Sequence, residues 1–515
     1  MGRLIGLVVV GLGLAGCGSP AARDRCATDA ECGAGSWCAT GGVCWADATP
    51  PVLSAVTVSC PTPCLRDSTL AVAVTASDDG RVAGVTARLD LAPGLTVPLV
   101  LQGGAWRGDL RLMSWPFAAF ERAVEVTVEA RDGAGNRASA ARPAGTVTRL
   151  RWVVDIAGGE VMAPGAVAVD AQGTAVVGGS NGKVYFIGPD GAATRAPVAA
   201  GNGMLTAPVV VGSAGVWVPS DDGKVYRVPS DPVLPVETVC NTRATVKGIA
   251  LNSLGDPLAA SASGAYFAWQ GGSCSNSPVY IGEVLHPPTA HGPTFFGAEG
   301  SNVHALSINA TGLVAEDWPS PASLGAAVAA PMALRATGQI LALTNLGTTG
   351  SLISVSPTGT PTPLATTDVP SDGPVVLASG DVVVPERGRT LSSWSSGGTL
   401  RWRSVALPGA PLTPLVLAGG ADLLLVADAR GNLTALDAAG QVRWTTQLAP
   451  AAIPLRPPNL FTPAGLDRSI GYFPAANGRL HAVILDGRLD AAAPWPKAFH
   501  DPQNTGNSAT PLPSP

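Results

Sequence analysis

Leu423-Leu424-Leu425-Val426-Ala427-Asp428-Ala429-Arg430-Gly431-Asn432-Leu433-Thr434-Ala435-Leu436-Asp437 is the stretch whose reading decides the fold. It reads as an apolar strand, a Gly- and Asn-containing turn, and a second strand with aliphatic residues. Two earlier stretches have the same form, Thr174-Ala175-Val176-Val177-Gly178-Gly179-Ser180-Asn181-Gly182-Lys183-Val184-Tyr185-Phe186 and Gly215-Val216-Trp217-Val218-Pro219-Ser220-Asp221-Asp222-Gly223-Lys224-Val225-Tyr226. Anchoring each copy at its turn gives Gly182, Gly223, Gly264, Ser301, Gly350, Arg389, Gly431 and Gly478, at steps of 41, 41, 37, 49, 39, 42 and 47 residues. A four-stranded propeller blade takes about 40–45 residues, so the repeat predicts an all-β chain with about eight blades over residues 149–490.

Composition agrees with that class. The 515 residues include 63 Gly and 46 Pro, which disfavour long helices and supply turns. Hydrophobic residues make up 46% and charged ones 13% of the chain. The apolar content is spread over short segments, and no run after residue 16 is long enough to span a bilayer. A net charge of −5 without a basic cluster leaves no electrostatic footprint for nucleic acid.

The later copies carry a family likeness. Ala435-Leu436-Asp437-Ala438-Ala439-Gly440-Gln441-Val442-Arg443-Trp444 resembles the A-x-D-x-x-x-G-x-x-x-W repeat of quinoprotein-like (PQQ-type) propellers, and Gly398-Thr399-Leu400-Arg401-Trp402 repeats its second half. The resemblance implies that each Trp docks between neighbouring blades. Leu150-Arg151-Trp152 has the same form without preceding strands. It is expected to be the outer strand of the last blade, supplied by the start of the domain to close the ring. The resemblance does not extend to quinone chemistry, because the adjacent Cys-Cys pair that grips the cofactor in true quinoprotein dehydrogenases is absent from the sequence. No cofactor is expected. Residues 491–515 are read as a Pro-rich tail, in which Trp495 to Asp501 resembles a terminal segment seen beside such propellers.

Residues 50–148 show short alternating strands: Val52 to Val58, Leu70 to Ala76, Val82 to Leu89 and Ala123 to Ala130. Ala130-Arg131-Asp132-Gly133-Ala134-Gly135-Asn136 resembles the final strand, A-x-D-x-A-G-N, of bacterial immunoglobulin-like domains, which implies a β-sandwich. Asp78, Asp79 and Asp132 have the chemistry to hold Ca²⁺, although Asp and Gly at such places commonly just make turns.

The first residues read as a sorting signal. Met1, Gly2 and Arg3 precede an apolar run from Leu4 to Leu14, the length of a signal-peptide core. Leu14-Ala15-Gly16-Cys17 resembles the lipobox of bacterial lipoproteins, which implies cleavage after residue 16 and acylation of Cys17. Gly18 lacks the Asp that marks inner-membrane retention in that family, so outer-membrane or cell-surface anchoring is expected. Gly11 to Gly16 matches G-x-G-x-x-G without a strand-turn-helix context, and Gly6 stands where myristoylation needs Ser or Thr.

Eight cysteines remain, an even number that reads as disulfides in an exported chain. Cys26, Cys32, Cys38 and Cys44 lie within residues 17–49 at equal spacing, and three connectivities stay open for them. The pattern resembles small cysteine-rich modules of bacterial surface lipoproteins. Cys60 and Cys64 can close a tight local loop, and Cys240 and Cys274 are left for each other.

Candidate chemistry is thin. Gly178-Gly179-Ser180-Asn181-Gly182 matches the G-x-S-x-G nucleophile elbow but sits between two strands, where a hairpin turn is expected. His286 and His291 share one Pro-rich loop, which reads as a solvated loop in preference to a metal site. His304 and His481 occupy equivalent places in their repeats, which points to a structural slot, and His500 lies in the tail. Asp221 and Asp222 read as turn residues. No metal or catalytic residues are assigned. The expectation is a lipid-anchored, non-catalytic envelope protein whose propeller binds a protein or glycan. The alternatives are a propeller enzyme (a quinoprotein-type oxidoreductase or a glycan hydrolase) and an outer-membrane protein assembly factor.

Overall fold

The computed structural model describes residues 25–160, 162–277, 282–466 and 468–512. Residues 1–16, read from the sequence as a sorting signal, and Cys17 lie outside the described residues. The chain divides into two compact units, residues 1–117 with 123–147 and residues 118–122 with 148–515. Among the described residues no helix is long and apolar enough to cross a membrane.

The first unit begins with a small hairpin, Ser36–Ala39 against Val43–Ala46. Disulfides Cys26–Cys38 and Cys32–Cys44 staple it, which selects one of the three connectivities that spacing left open. Cys60 and Cys64 bond to each other across their short loop. Two antiparallel sheets follow, of four and five strands. Their strands alternate as half-buried strands must, with Leu70, Val72 and Val74 buried on one and Val124, Val126, Val128 and Ala130 on the other. Arg66 is buried in this unit. Its guanidinium donates to the carbonyl oxygens of Leu112 and Trp115 and lies 5.2 Å from the Phe117 ring centroid.

The second unit is a β-propeller. Among its described residues, eight antiparallel sheets succeed one another, each with at least four strands in simple up-and-down order. The first comprises Ala168–Val169, Ala175–Gly178, Lys183–Ile187 and Ala193–Ala199. The second to seventh span 210–241, 246–276, 289–323, 333–367, 375–403 and 415–447. The eighth has Asn459–Phe461, Ser469–Ala475 and Arg479–Leu485, and its outer strand is Leu150–Asp155. Trp152 lies opposite Ala482, and its ring packs 5.9 Å from that of Tyr472. Apolar clusters bridge each sheet to the next and the eighth back to the first, so the ring is continuous.

The anchor residues read from the repeat fall at the hairpins between second and third strands. Gly182, Gly223, Gly264, Gly431 and Gly478 hold φ between +76° and +82°, where Gly costs least, and Arg389 is the non-Gly exception at +65°. The 49-residue step before Gly350 reflects an added short strand, Ala322–Ser323, which pairs back onto the fourth sheet.

The Trp docking implied by the family likeness is visible at three seams. The indole N–H of Trp152 donates to the Pro189 carbonyl and that of Trp318 to the Pro357 carbonyl, each on a turn of the following sheet. Trp402 lies over Gly440, where an added Cβ would come within 2.4 Å of the ring. The eighth sheet has no such turn, because its outer strand comes from the start of the unit. There Phe120 and the Arg149 guanidinium lie against Trp444, with centroid distances of 5.7 and 5.5 Å. Cys240 and Cys274, on the outer strands of the second and third sheets, are bonded with their Cα atoms 5.4 Å apart.

Candidate functional site

The inner strand of each sheet turns unpaired backbone N–H groups toward the ring axis, and buried groups of this kind need acceptors. Residues 490–512 supply them. The amides of Val376, Val416, Val169, Val211, Leu251 and Ala290 donate to the carbonyls of Trp495, Pro496, Pro502, Gln503, Thr505 and Gly506 at 2.7–2.9 Å. From the eighth sheet the Asn459 side chain donates to the carbonyls of Pro502 and Val167 at 2.7 and 2.9 Å. The segment therefore touches the sixth, seventh, eighth, first, second, third and fourth sheets in turn. Within the stretch read from the sequence as a Pro-rich tail, residues 495–506 thus lie along the inner strands. Trp495, Lys497, His500, Asp501, Asn504 and Asn507 are each 2% exposed or less.

The buried charges of this plug are matched internally. The Lys497 ammonium donates to Ala498 O, Asp501 O and Asn504 Oδ1. Burial pushes it down to about 7, against the pull of Asp501. Asp501 accepts from the Thr505 amide and hydroxyl and meets His500 Nδ1 at 3.3 Å.

At one mouth of the ring the plug helps to line a groove of about 790 Å³. Its walls are the Asp170–Thr174 turn, the Gly212–Gly215 hairpin and the Leu251–Gly255 turn, from the first three sheets, together with residues 503–511. Arg195 stands in one wall, held 5.2 Å from the Phe186 ring and donating to the Pro229 carbonyl at 3.0 Å. Leu254 is 76% exposed at the rim. Apolar floor with a few fixed polar groups is the usual make-up of a binding cleft. Sequence reading missed the groove, because its walls are ordinary turns that only the ring brings together.

The other candidates have structural duties. Ser180 lies in a strand-to-strand hairpin, and its hydroxyl accepts the Ala163 amide at 2.8 Å. Asp222 accepts the Tyr226 hydroxyl at 2.6 Å, and Asn181 donates to the Tyr185 hydroxyl at the same place in the first sheet. Burial pushes Asp222 up, but hydrogen bonds from Tyr226, Ser220 and two backbone amides outweigh it, so the carboxyl sits below its ordinary value. His291 ends the inner strand of the fourth sheet and meets the Ser508 hydroxyl at 2.8 Å, while His286 remains in the preceding loop. His304 is buried beside Glu316 at 3.2 Å.

His481, in the equivalent strand position, is buried with no hydrogen-bond partner at either ring nitrogen among the described residues. Burial, with Arg479 nearby, pushes its imidazole down from 6.5 to about 4. Between those values the unfolded chain takes up a proton that the folded chain refuses. Stability from this site is therefore complete above about pH 6.5 and is lost on acidification toward pH 4, by at most about 3 kcal/mol. His481→Leu should flatten that slope in urea melts at pH 4 to 7. An unchanged slope would assign the acid sensitivity elsewhere.

In the first unit one carboxylate oxygen each from Asp47, Asp78 and Asp79 lie within 4.8 Å of one another. The sequence pointed to Asp132 with Asp78 and Asp79, but Asp132 is engaged by its own turn, accepting from the Gly135 and Asn136 amides at 2.6 and 2.8 Å. Burial first, then repulsion from Asp47, Asp132 and Asp79, raises Asp78. Such a triad has the chemistry of a hard divalent cation site. Cys26, Cys32 and Cys44 also lie close together, but their sulfurs are in disulfides and offer no thiolate.

No protein-family model and no curated protein matches this chain. Solved structures do resemble it. A computationally designed protein, Ika8, is 15% identical with a TM-score of 0.51, over 64% of this chain and 98% of its own. BamB from Moraxella catarrhalis is 16% identical with a TM-score of 0.46, over 62% of this chain and 95% of its own. Virginiamycin B lyase from Staphylococcus aureus is 12% identical with a TM-score of 0.43, over 65% and 98%. At these identities the likeness concerns fold alone.

Proposed function

We propose that this chain is a lipid-anchored binding scaffold of the bacterial cell envelope, in which an immunoglobulin-like domain precedes an eight-bladed propeller. Eight successive sheets and the closing strand support the blade count. Two sheets with the A-x-D-x-A-G-N ending support the immunoglobulin-like assignment. The lipobox ending at Cys17 supports the anchor, and four disulfides suit an oxidising compartment outside the cytoplasm.

The observation that carries the binding role is the groove of about 790 Å³ across the first three blades. It is composed of turns that can vary without disturbing the ring, as binding loops on a rigid scaffold do. The ligand class is an envelope protein or glycan. Cys17→Ser should shift the protein from the membrane to the soluble fraction and supply a soluble bait. That bait should retain a cross-linked envelope partner or a glycan, and Leu254→Asp with Ser213→Arg should reduce capture at least tenfold. Equal capture with the groove altered would remove the groove from the function. A Cys17→Ser protein that stays membrane-bound would remove the anchor.

A further inference from the structure

We infer that the axial channel is a binding site for an extended polypeptide, occupied in this chain by its own residues 492–511. The site borders the rim groove, which residues 503–511 help to line, but it stands on different observations.

Three features make this segment ligand-like. The ring recognises it through main-chain donors, one per sheet in six of the sheets, as in strand-addition modes of peptide binding. The segment adds no full strand to any sheet. It touches them through isolated bridges, Val376 with Trp495 and Ala290 with Asn507. Its buried ammonium is satisfied from within, since Lys497 donates to Ala498, Asp501 and Asn504 of the same segment. A core element would instead share its charges with the body it completes.

Specificity comes from few side chains. Trp495 inserts among the buried apolar residues of the fifth and sixth sheets. Asn504 donates to the carbonyls of Val167 and Val209 at 3.0 and 3.3 Å, reading the inner strands of two neighbouring sheets at once. Phe499, His500 and Asn504 hold φ of +62°, +70° and +59°, a path that non-Gly residues adopt when their surroundings impose it. The channel thus dictates the shape of the segment. The ligand class is a polypeptide with a Trp anchor, then nine residues later an Asn, presenting carbonyls between and beyond them.

Ala491 and Ala492 are exposed, so a protease site placed between them in the full-length protein can be cut without entering the channel. After cutting, the released segment should stay with the ring through gel filtration. A fluorescein-labelled synthetic peptide of residues 492–511 in excess should replace it, as read by fluorescence anisotropy. Peptides with Trp495→Ala or Asn504→Ala should compete at least tenfold more weakly. Collapse of the ring on cutting would overturn the inference, because the segment would then be core. So would a folded ring that loses the segment without taking up peptide, or one that keeps it without exchange up to the unfolding midpoint. As a check independent of cutting, the intact Trp495→Ala protein should take up labelled native peptide, and failure there with the fold retained counts equally against the site.

Discussion

A chain ending at Ala491 should unfold roughly 5–10 °C below the full-length protein. The lost contacts are specific. Trp495 leaves a pocket in which it is 2% exposed, and removing a buried Trp side chain costs about 3–5 kcal/mol. Six inner-strand amides lose acceptors at 2.7–2.9 Å, but the emptied channel admits water, so their loss adds less than their number implies. For a domain of this size each kcal/mol is worth about 2 °C or slightly less, which sets the expected range. Differential scanning fluorimetry on both chains checks it. A shift under about 2 °C would mean that the plug lies in the channel without stabilising the ring.

Arg149→Ala should cost about 3–5 kcal/mol, the expected penalty for breaking a buried ion pair from one side. Arg149 is fully buried at the seam where the ring closes. Its guanidinium makes a bidentate pair with Asp486 at 2.7 and 2.8 Å and also donates to Ala119 O and Ile484 O. Its own backbone carbonyl accepts the Ile484 amide, so one residue ties the incoming strand to the outgoing one by main chain and side chain. Asp422, already raised by burial, relies on the same guanidinium to hold it down. Arg149→Met keeps the stem beside Trp444 while removing the charge, and pairing it with Asp486→Leu removes the stranded carboxylate. Urea melts should place the double variant well above Arg149→Met alone. If all three variants lie within about 1 kcal/mol of native, the seam is held by strand pairing and the clamp adds nothing.

What the sequence disclosed follows from which interactions are local. The hairpin between second and third strands of each sheet is built from neighbours, so its Gly and apolar alternation repeat visibly at Gly182, Gly223 and Gly431. Trp152 was legible for another reason: a docking residue without preceding strands has to belong to a sheet elsewhere. The plug was not legible. It meets six sheets through single inner-strand amides, with partners such as Val169 and Val416 scattered across the chain, and leaves no period to read. The rim groove was hidden likewise, since Asp170, Gly212 and Leu251 belong to separate repeats. The pairing among Cys26, Cys32, Cys38 and Cys44 required geometry because equal spacing favours no partner. Asp47 joins Asp78 and Asp79 from a link that reads as featureless.

The closing strand also fixes an order of events. Sheets one to seven can form as the chain emerges, each from hairpins whose partners are tens of residues apart. Leu150–Asp155 must wait for Arg479–Leu485, more than 300 residues later, before either has its full set of partners. Until then the nascent ring carries two open β-edges, the kind that invite pairing with other chains. The ring thus keeps its most vulnerable surfaces exposed until Arg479–Leu485 takes its place beside the strand that began the unit.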